Sequence, residues 1–158
     1  MESQTSNTKL IPLTQGRFAI VDAEDYEWLS KWKWSYGYGG YAGRGIQYGV
    51  IYMHRLILGT PAGSHTDHIN GNGLDNRKSN LRICTHHENM RNRSKQKGSS
   101  KYKGVYWERK REKWIAQIKI NNKNIHLGSF KKEYDASVAY DLAAIKYHGI
   151  FAKVNCRG

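Results

Sequence analysis

Apolar and polar positions follow no single period in the first part of the chain. Between residues 10 and 58, aromatic and β-branched residues alternate with glycine-rich turns. That pattern predicts strands at 18–22, 32–44 and 48–58, and a short helical turn with an acidic start at 22–31. The many tryptophans and tyrosines are expected to fill a small core, which is a commoner use of such residues than stacking on nucleic-acid bases.

The pattern becomes regular after a polar interruption. Residues 94–101 contain no apolar side chain, which is typical of a linker. Three strand-like runs follow, and the two asparagines between the second and third runs suit a tight hairpin because asparagine tolerates positive φ. The three runs occupy residues 103–108, 113–120 and 124–130.

Residues 132–149 are predicted to form a helix that covers these strands. Large apolar residues recur at the spacing of one helical face, and Gly149 stands where a helix commonly ends. The residues of that face are Tyr134, Val138, Leu142 and Ile145. The chain is therefore assigned to the α+β class, with a three-stranded antiparallel sheet packed on one helix at its C-terminal end.

Charge divides the chain at the same point. The 158 residues carry 26 Lys and Arg against 13 Asp and Glu, a net charge of +13. Residues 1–93 hold 11 basic and 8 acidic residues, whereas residues 94–158 hold 15 and 5. Such an excess attracts nucleic acid through phosphate neutralisation, although ribosomal proteins and membrane-surface binders share it. We expect domains at 9–93 and 101–157, a linker at 94–100, and affinity for double-stranded DNA mainly in the second domain.

Cysteine usage and the absence of apolar runs bear on the compartment. The two cysteines, Cys84 and Cys156, make no disulfide framework and no four-cysteine zinc ribbon. The first eight residues lack the basic flank and apolar core of a signal peptide, and no run approaches the roughly 18 apolar residues of a membrane span. The sequence therefore favours a cytoplasmic protein with no membrane partner. It implies no protein partner and leaves open whether the protein is a monomer or a dimer.

The chemically informative stretch is residues 65–93. Histidine, aspartate and asparagine surround an Asn-Gly-Asn-Gly turn between two strand candidates, and a polar helix begins near His86. Asp67 and a helix asparagine could hold one hard cation, since carboxylate and amide oxygens suit Mg²⁺. His68 could deprotonate a water aimed at a phosphodiester. The cation would polarise the phosphoryl oxygen and stabilise the leaving 3′ oxygen.

This stretch resembles the HNH nucleases of the ββα-metal fold, in particular the homing endonucleases of phages and introns. The matching segments are YMHRLI (52–57), TDHINGN (66–72), LDNRKSNLR (74–82) and ENMRNR (88–93). The resemblance implies that Asp67 and Asn89 bind the divalent metal, with Mg²⁺ expected and Mn²⁺ as the alternative. It implies that His68 is the general base and that Asn80 braces the loop.

Some positions of this resemblance are less defined. Asn92 competes with Asn89 as the second metal ligand, and the family spacing after Asn80 favours Asn89. Arg77 and Arg82 are expected to hold phosphates. His54 and Arg55 recur in the family pattern, but the sequence assigns them no role.

Zinc is a rival to the hard-cation site. Cys84 together with His86, His87 or His65 would supply zinc ligands. The spacing disfavours such a site, because Cys84 and His86 are only two residues apart and the sequence has no CxxC partner.

Alternation along the C-terminal strands assigns two faces to the predicted sheet. One face lies under the helix, and its residues are Trp114, Ala116, Ile118, Ile120, Ile125 and Leu127. The other face is open, and its residues are Lys113, Ile115, Gln117, Lys119, Asn124 and His126. An open face of this composition can enter a major groove.

Residues 103–155 look like the apetala-two, or ethylene-response-factor, DNA-binding domain. The matching segments are YKGVYW (102–107), KWIAQI (113–118), HLGSF (126–130), ASVAYDLAAIKYHG (136–149) and AKVN (152–155). The resemblance implies DNA contacts from Tyr106, Arg109, Arg111, Lys113, Gln117, Lys119, Asn124 and His126. Lys103 and Tyr106 replace arginines of plant members, so the plant target sequence does not carry over.

Both resemblances together predict a metal-dependent DNA endonuclease of the homing type, encoded by a phage or mobile element. It would hydrolyse phosphodiester bonds at a site located by its C-terminal domain. The alternative is a non-enzymatic, sequence-specific DNA-binding transcriptional regulator in which the ββα unit is structural. The presence of Asp67, His68, Asn80 and Asn89 together favours the enzyme.

Overall fold

Short strands and short helices alternate throughout the computed structural model, which describes residues 7–37, 39–93 and 97–156. The chain divides into two units, Met1–Asn89 and Met90–Gly158. The division lies just before the predicted linker, of which residues 94–96 fall outside the described part. Residues 1–6 of the N-terminal segment and residue 157 of the predicted second domain also fall outside it. The exact domain ranges remain predictions.

The first unit contains three small antiparallel sheets, which join β1 to β2, β3 to β4 and β5, and β6 to β7. Its elements are β1 (Thr8–Pro12), β2 (Phe18–Asp22), α1 (Ala23–Leu29), β3 (Ser35–Tyr36), β4 (Ala42–Ile46), β5 (Gly49–Tyr52), α2 (Met53–Leu58), β6 (His65–His68), β7 (Leu81–Cys84) and the start of α3 (His86–Asn92). The predicted strand at 18–22 and the helical turn after it are confirmed.

The core of the first unit lies between the β1–β2 hairpin, α1 and α2. Its buried apolar residues are Ile11, Leu13, Ala19, Val21, Leu29, Trp34, Ala42 and Met53. The indole Nε1 of Trp34 donates to the Leu29 carbonyl at 2.8 Å, so the polar atom of this aromatic side chain is satisfied within the core. Of the described residues of the predicted strand at 32–44, which exclude residue 38, only 35–36 and 42–44 are extended.

The predicted strand at 48–58 is wrong in its second half, where α2 begins at Met53. Gly59 follows α2 with φ of 57°, the left-handed conformation of a helix C-terminal stop. The amides of Gly59 and Thr60 donate to the carbonyls of Leu56 and Arg55, which closes the last turn. An unbroken apolar run fits a strand or a short helix equally well, so Gly59 was the only residue in this stretch that indicated the end of a helix.

The second unit is an antiparallel sheet of order β10-β9-β8 with one helix against it. Its elements are β8 (Val105–Glu108), β9 (Lys113–Ile120), β10 (Lys123–Phe130) and α4 (Glu133–His148). Asn121 and Asn122 connect β9 to β10 with φ of 49° and 63°, which confirms the predicted tight hairpin. The predicted α+β class and the sheet packed on one helix are confirmed.

The predicted packing face of α4 is wrong. Tyr134, Val138, Leu142 and Ile145 are 56%, 36%, 66% and 57% exposed. The sheet instead receives the opposite face, whose buried residues are Ala136, Ser137, Tyr140, Ala143 and Ala144. Alanines let the helix lie close to the strands, and Gly104 leaves room for the Tyr140 ring where a Cβ would come within 1.9 Å. Close packing of small side chains therefore outweighs burial of the large ones.

A polar clamp closes the second unit. The Asp141 carboxylate accepts from the backbone amides of Asn155 and Cys156, each at 2.8 Å. The Asn155 side chain in turn accepts from the Lys103 amide at 2.6 Å and donates to the Lys103 carbonyl at 3.1 Å. The segment that leads into β8 is thereby joined to the residues that follow α4. None of the helices in the described part of the chain is long and apolar enough to cross a membrane.

Gly104→Ala should destabilise the second unit strongly. The new Cβ would overlap the Tyr140 ring, and the φ of +74° at this position is strained for any L side chain. We expect a loss of about 2–4 kcal/mol in the free energy of unfolding, measured by urea denaturation. Gly98→Ala is the control, since nothing lies within 4 Å of its Cβ position. Equal stability of the two variants would contradict this account of the packing.

Candidate functional site

The β6–β7 hairpin and the start of α3 form the ββα unit that the sequence predicts. β6 and β7 pair from His65 with Cys84 to His68 with Leu81. Thr85 and Glu88 then form a capping box at the start of α3. The Glu88 carboxylate accepts from the Thr85 amide at 2.8 Å, and the Thr85 hydroxyl accepts from the Glu88 amide at 3.3 Å. This cap fixes where the helix begins after β7.

The loop between β6 and β7 is held by its own polar side chains. The Asn80 side chain accepts from the Asn70 amide at 3.0 Å and donates to the Asp75 carbonyl at 2.8 Å. The Asn70 side chain donates to the Asp75 carboxylate at 2.8 Å. Asp75 and Asn80 are both buried, so these hydrogen bonds satisfy groups that have left water. The hydrogen bonds of the Asn80 side chain are therefore made within the loop.

The same loop pairs with the edge of β2. Ile20 donates to the Leu74 carbonyl at 2.8 Å and accepts from the Asn76 amide at 2.7 Å. The Asp22 carboxylate accepts from the Lys78 amide at 2.8 Å. The β1–β2 hairpin therefore holds the loop in place through hydrogen bonds to the loop backbone.

Asn76 is a site residue that the sequence did not reveal. It is fully buried, and its Oδ1 lies 3.3 Å from Nε2 of His68. Its Nδ2 donates to the Leu74 carbonyl at 3.2 Å, so the oxygen is the atom that faces His68. His68 must then donate from Nε2, and the neutral ring carries its lone pair on Nδ1. No sequence signal separates Asn76 from the loop asparagines around it.

Aromatic rings enclose His68 on its other sides. Tyr41 stacks on it with ring centroids 5.6 Å apart, and His54 meets it edge-on at 5.0 Å. Gly73 admits the Tyr41 ring, since a Cβ there would come within 2.7 Å of it. Burial lowers the pKa of His68, while the hydrogen bond to Asn76 opposes that effect. His68 therefore stays neutral near pH 7 and is able to accept a proton.

The structure gives contacts to His54 and Arg55, for which the sequence assigned no role. His54 is buried and stacks on Tyr52, and burial together with the nearby His68 lowers its pKa to about 3. The Arg55 guanidinium donates to the carbonyls of Ser64 and Pro61 at 2.7 and 3.1 Å. α2 thus packs against His68 through His54, and it holds the segment between α2 and β6 through Arg55.

The two arginines predicted to hold phosphates are paired with carboxylates. Arg82 donates from Nε and Nη2 to Oδ2 of Asp67, at 2.8 and 2.6 Å. Arg77 donates to both oxygens of Asp75, at 2.7 and 2.6 Å. The Arg77 hydrogen bonds lower the pKa of Asp75. Phosphate contacts from either arginine stay a prediction.

The predicted metal ligands lie around the end of the hairpin. Cys84 is buried near both of them, and its thiol pKa is raised to about 11 by burial and by the nearby carboxylates of Asp67 and Glu88. The backbone amide of Asn89 lowers that pKa, because it donates a hydrogen bond to the sulfur. Asn89 is half-buried on the first turn of α3, whereas Asn92 is buried one turn later.

This donor set fits a hard cation better than zinc. One carboxylate and one amide oxygen suit Mg²⁺ or Mn²⁺, which keep several water ligands. Within the described residues, no group of three or more His, Cys, Asp or Glu side chains is placed to hold a metal ion. The hard-cation site and the zinc alternative both stay predictions, and His65 and His86 lie close together with ring centroids 5.2 Å apart.

The open face of the C-terminal sheet presents the polar side chains that the alternation predicts. Strand register places Gln117 beside His126 and Lys119 beside Asn124 on neighbouring strands. The remaining predicted contact residues are Tyr106, Lys113, and Arg109 and Arg111 in the turn after β8, and all four are exposed. Ile115 is an exception, since it is 1% exposed despite lying on this face. Ile125, predicted to lie under the helix, is 39% exposed on the edge strand β10.

Comparison with known proteins gives matches to both units. Residues 52–91 match the HNH endonuclease family and residues 100–150 match the AP2 domain. An uncharacterized HNH endonuclease of Acanthamoeba polyphaga mimivirus is 32% identical over 149 residues, which cover 89% of this chain and 76% of the relative. The AP2-like ethylene-responsive transcription factor AIL7 of Arabidopsis thaliana is 43% identical over 61 residues, 37% of this chain and 12% of the plant protein.

The Asp75–Arg77 pair should make stability fall at acidic pH. Because the folded-state pKa of Asp75 is lowered, its contribution is present at neutral pH and is lost as the pH falls below about 4. Asp75→Asn should cost about 2 kcal/mol at pH 7 and progressively less toward pH 2. Urea denaturation at a series of pH values measures this. A difference between the two proteins that does not change with pH would refute the assignment.

Proposed function

Since the chain belongs to the HNH endonuclease family and carries an AP2 domain, we propose that it is a metal-dependent DNA endonuclease. It hydrolyses phosphodiester bonds at a site that the C-terminal sheet locates. The observation that carries the proposal is the buried His68, whose tautomer is set by Asn76 and whose neutral state is set by burial.

His68 acts as the general base in this proposal. Its Nδ1 takes a proton from a water molecule, and the oxygen of that water forms a bond to phosphorus. The bond from phosphorus to the 3′ oxygen breaks, and that oxygen takes a proton from solvent water, which leaves a 5′ phosphate and a 3′ hydroxyl. Asn76 holds the Nε2 proton throughout, so the ring gains its second proton only on the side facing the water. Tyr41 and His54 restrict the tilt of the imidazole.

Asp67 and Asn89 would hold the divalent cation, with Mg²⁺ preferred and Mn²⁺ as the alternative. When bound, this ion supplies positive charge to the phosphoryl oxygen and to the leaving 3′ oxygen. Arg82 fixes the orientation of the Asp67 carboxylate through two hydrogen bonds to one oxygen. Asn89 is preferred over Asn92 because it stands nine residues after Asn80, the spacing that the family pattern favours.

The open sheet face supplies most of the DNA affinity. Its lysines neutralise phosphates, while Gln117, Asn124 and His126 face the base edges of a major groove. The homing role and the phage or mobile-element origin are part of this proposal, and the viral relative fits the mobile-element origin. A regulator without nuclease activity is the second candidate, favoured by the plant transcription factors that share the AP2 domain.

His68→Ala should abolish cleavage of bound DNA in the presence of Mg²⁺ or Mn²⁺ and leave the DNA dissociation constant unchanged. Asn76→Leu should keep DNA binding and lower the cleavage rate by about 10- to 100-fold, because the imidazole loses its acceptor. A single-turnover assay with both strands labelled, beside a binding titration, measures both effects.

Asn72→Ala is the control for Asn76→Leu, since Asn72 is exposed and its side chain accepts only from amides of the same loop. ¹⁵N NMR of His68 gives a second readout, because the fixed Nε2–H tautomer should be lost with Asn76. Wild-type protein that binds its target tightly and never cuts it would favour the regulator.

Replacing Lys113 and Lys119 by glutamine should weaken DNA binding at all sequences and reduce its salt dependence. If each lysine contacts one phosphate, the slope of log K against log salt should fall in magnitude by about 1.8. The double replacement of Lys31 and Lys33 by glutamine is the control, because these two exposed lysines lie in the first unit and not on this sheet. A slope that matches the wild-type value would show that this face does not bind the phosphates.

A further inference from the structure

The outer surface of α4 carries an unpartnered apolar stripe, formed by Tyr134, Val138, Leu142 and Ile145. These residues fall within one narrow arc of the helix, at spacings of four, four and three residues. Side chains of this size are rarely left exposed together on a monomer. The sheet does not use them, since α4 packs on it through the opposite face.

The stripe is complementary to itself when two copies run antiparallel. Its large residues are placed symmetrically about the middle of the helix, so that Tyr134 of one copy lies opposite Ile145 of the other. Val138 then lies opposite Leu142 in the same way. Two such helices interlock their side chains along the whole stripe.

The charges beside the stripe fit the same arrangement. Asp135 and Lys146 are exposed on the same flank of α4, near its opposite ends. Reversing the second helix brings Asp135 of one copy beside Lys146 of the other on both sides of the symmetry axis. A parallel pairing would instead place the two copies of Asp135 on opposite flanks, far along the helix from Lys146, so neither charge would meet its opposite.

We propose that α4 is the interface of an antiparallel homodimer of this chain. The stripe presents roughly 400 Å² per copy, within the size range of the largest apolar patch on a typical monomer, which is often functional. Pairing two copies buries roughly 800 Å², which is less than the roughly 1,200 Å² of a stable complex. The dimer is therefore weak, with a dissociation constant on the order of 10–100 µM.

This dimer has a definite consequence for DNA binding. α4 lies on one face of the sheet and the polar contact residues lie on the other, so pairing through α4 turns the two DNA-binding faces outward. One dimer then engages two separate DNA segments and carries two ββα units, one from each copy. The dimer itself is independent of the proposed cleavage chemistry.

Sedimentation equilibrium of the full chain tests the proposal over roughly 5–500 µM, a range that brackets the expected dissociation constant. The average mass of the wild-type protein should rise from 18.2 kDa toward twice that value. Leu142→Glu should weaken dimerisation at least tenfold, while Leu10→Glu, at a comparably exposed leucine on β1, should not. Circular dichroism confirms that both variants are folded.

A charge exchange tests the antiparallel register. Asp135→Lys and Lys146→Asp should each weaken the dimer, and the double variant should recover it, because each new lysine meets a new aspartate across the interface. A wild-type protein that stays monomeric over the whole range would overturn the proposal. Dimerisation unaffected by Leu142→Glu, or no recovery in the double variant, would overturn it equally.

Discussion

Two backbone hydrogen bonds at Ile20 support the whole candidate site. They join the edge of β2 to residues 74 and 76 and so fix the loop that connects β6 to β7. Asn76 is buried at that contact, and its side-chain oxygen hydrogen-bonds to His68. If the loop lifted from β2, Asn76 would return to water and His68 would lose the partner that sets its tautomer. The nuclease motif therefore depends on a hairpin that contains none of its residues.

Burial determines how strong the hydrogen bonds of this loop are, and how much free energy is lost when one of them is missing. The loop hides an aspartate and two asparagines, and each finds a partner within the loop or on its own backbone. A buried polar group without a partner would cost about 1–3 kcal/mol, so the network is stable only when it is complete. The same burial keeps His68 neutral. A solvated loop would bind the metal as readily but would leave the base partly protonated.

The sequence predicted the parts of the site that adjoin one another along the chain. The strand, turn, strand and helix around Asp67, His68 and Asn80 were recognisable from motif order. Tyr41, His54 and Asn76 were not assigned a role, because their contacts with His68 arise only when separate elements pack together. The face of α4 was misassigned for a related reason. Periodicity identifies the larger apolar side chains, whereas the helix position is decided by alanines and by Gly104.

The clamp between Lys103, Asp141 and Asn155 ties the segment that leads into β8 to the residues that follow α4. A segment whose two ends meet in space can be moved between genes as one cassette, because its insertion requires neither a long connection nor rearrangement of the host fold. Residues just outside the clamp also hold this part of the chain, since Ser99 and Ser100 bond to Trp107 and Glu133 and Cys156 bonds to Asp141. A cut at the clamp itself would transfer the three strands without these contacts. Recombination junctions that transfer a working DNA-binding domain are thus expected before Ser99 and after Cys156.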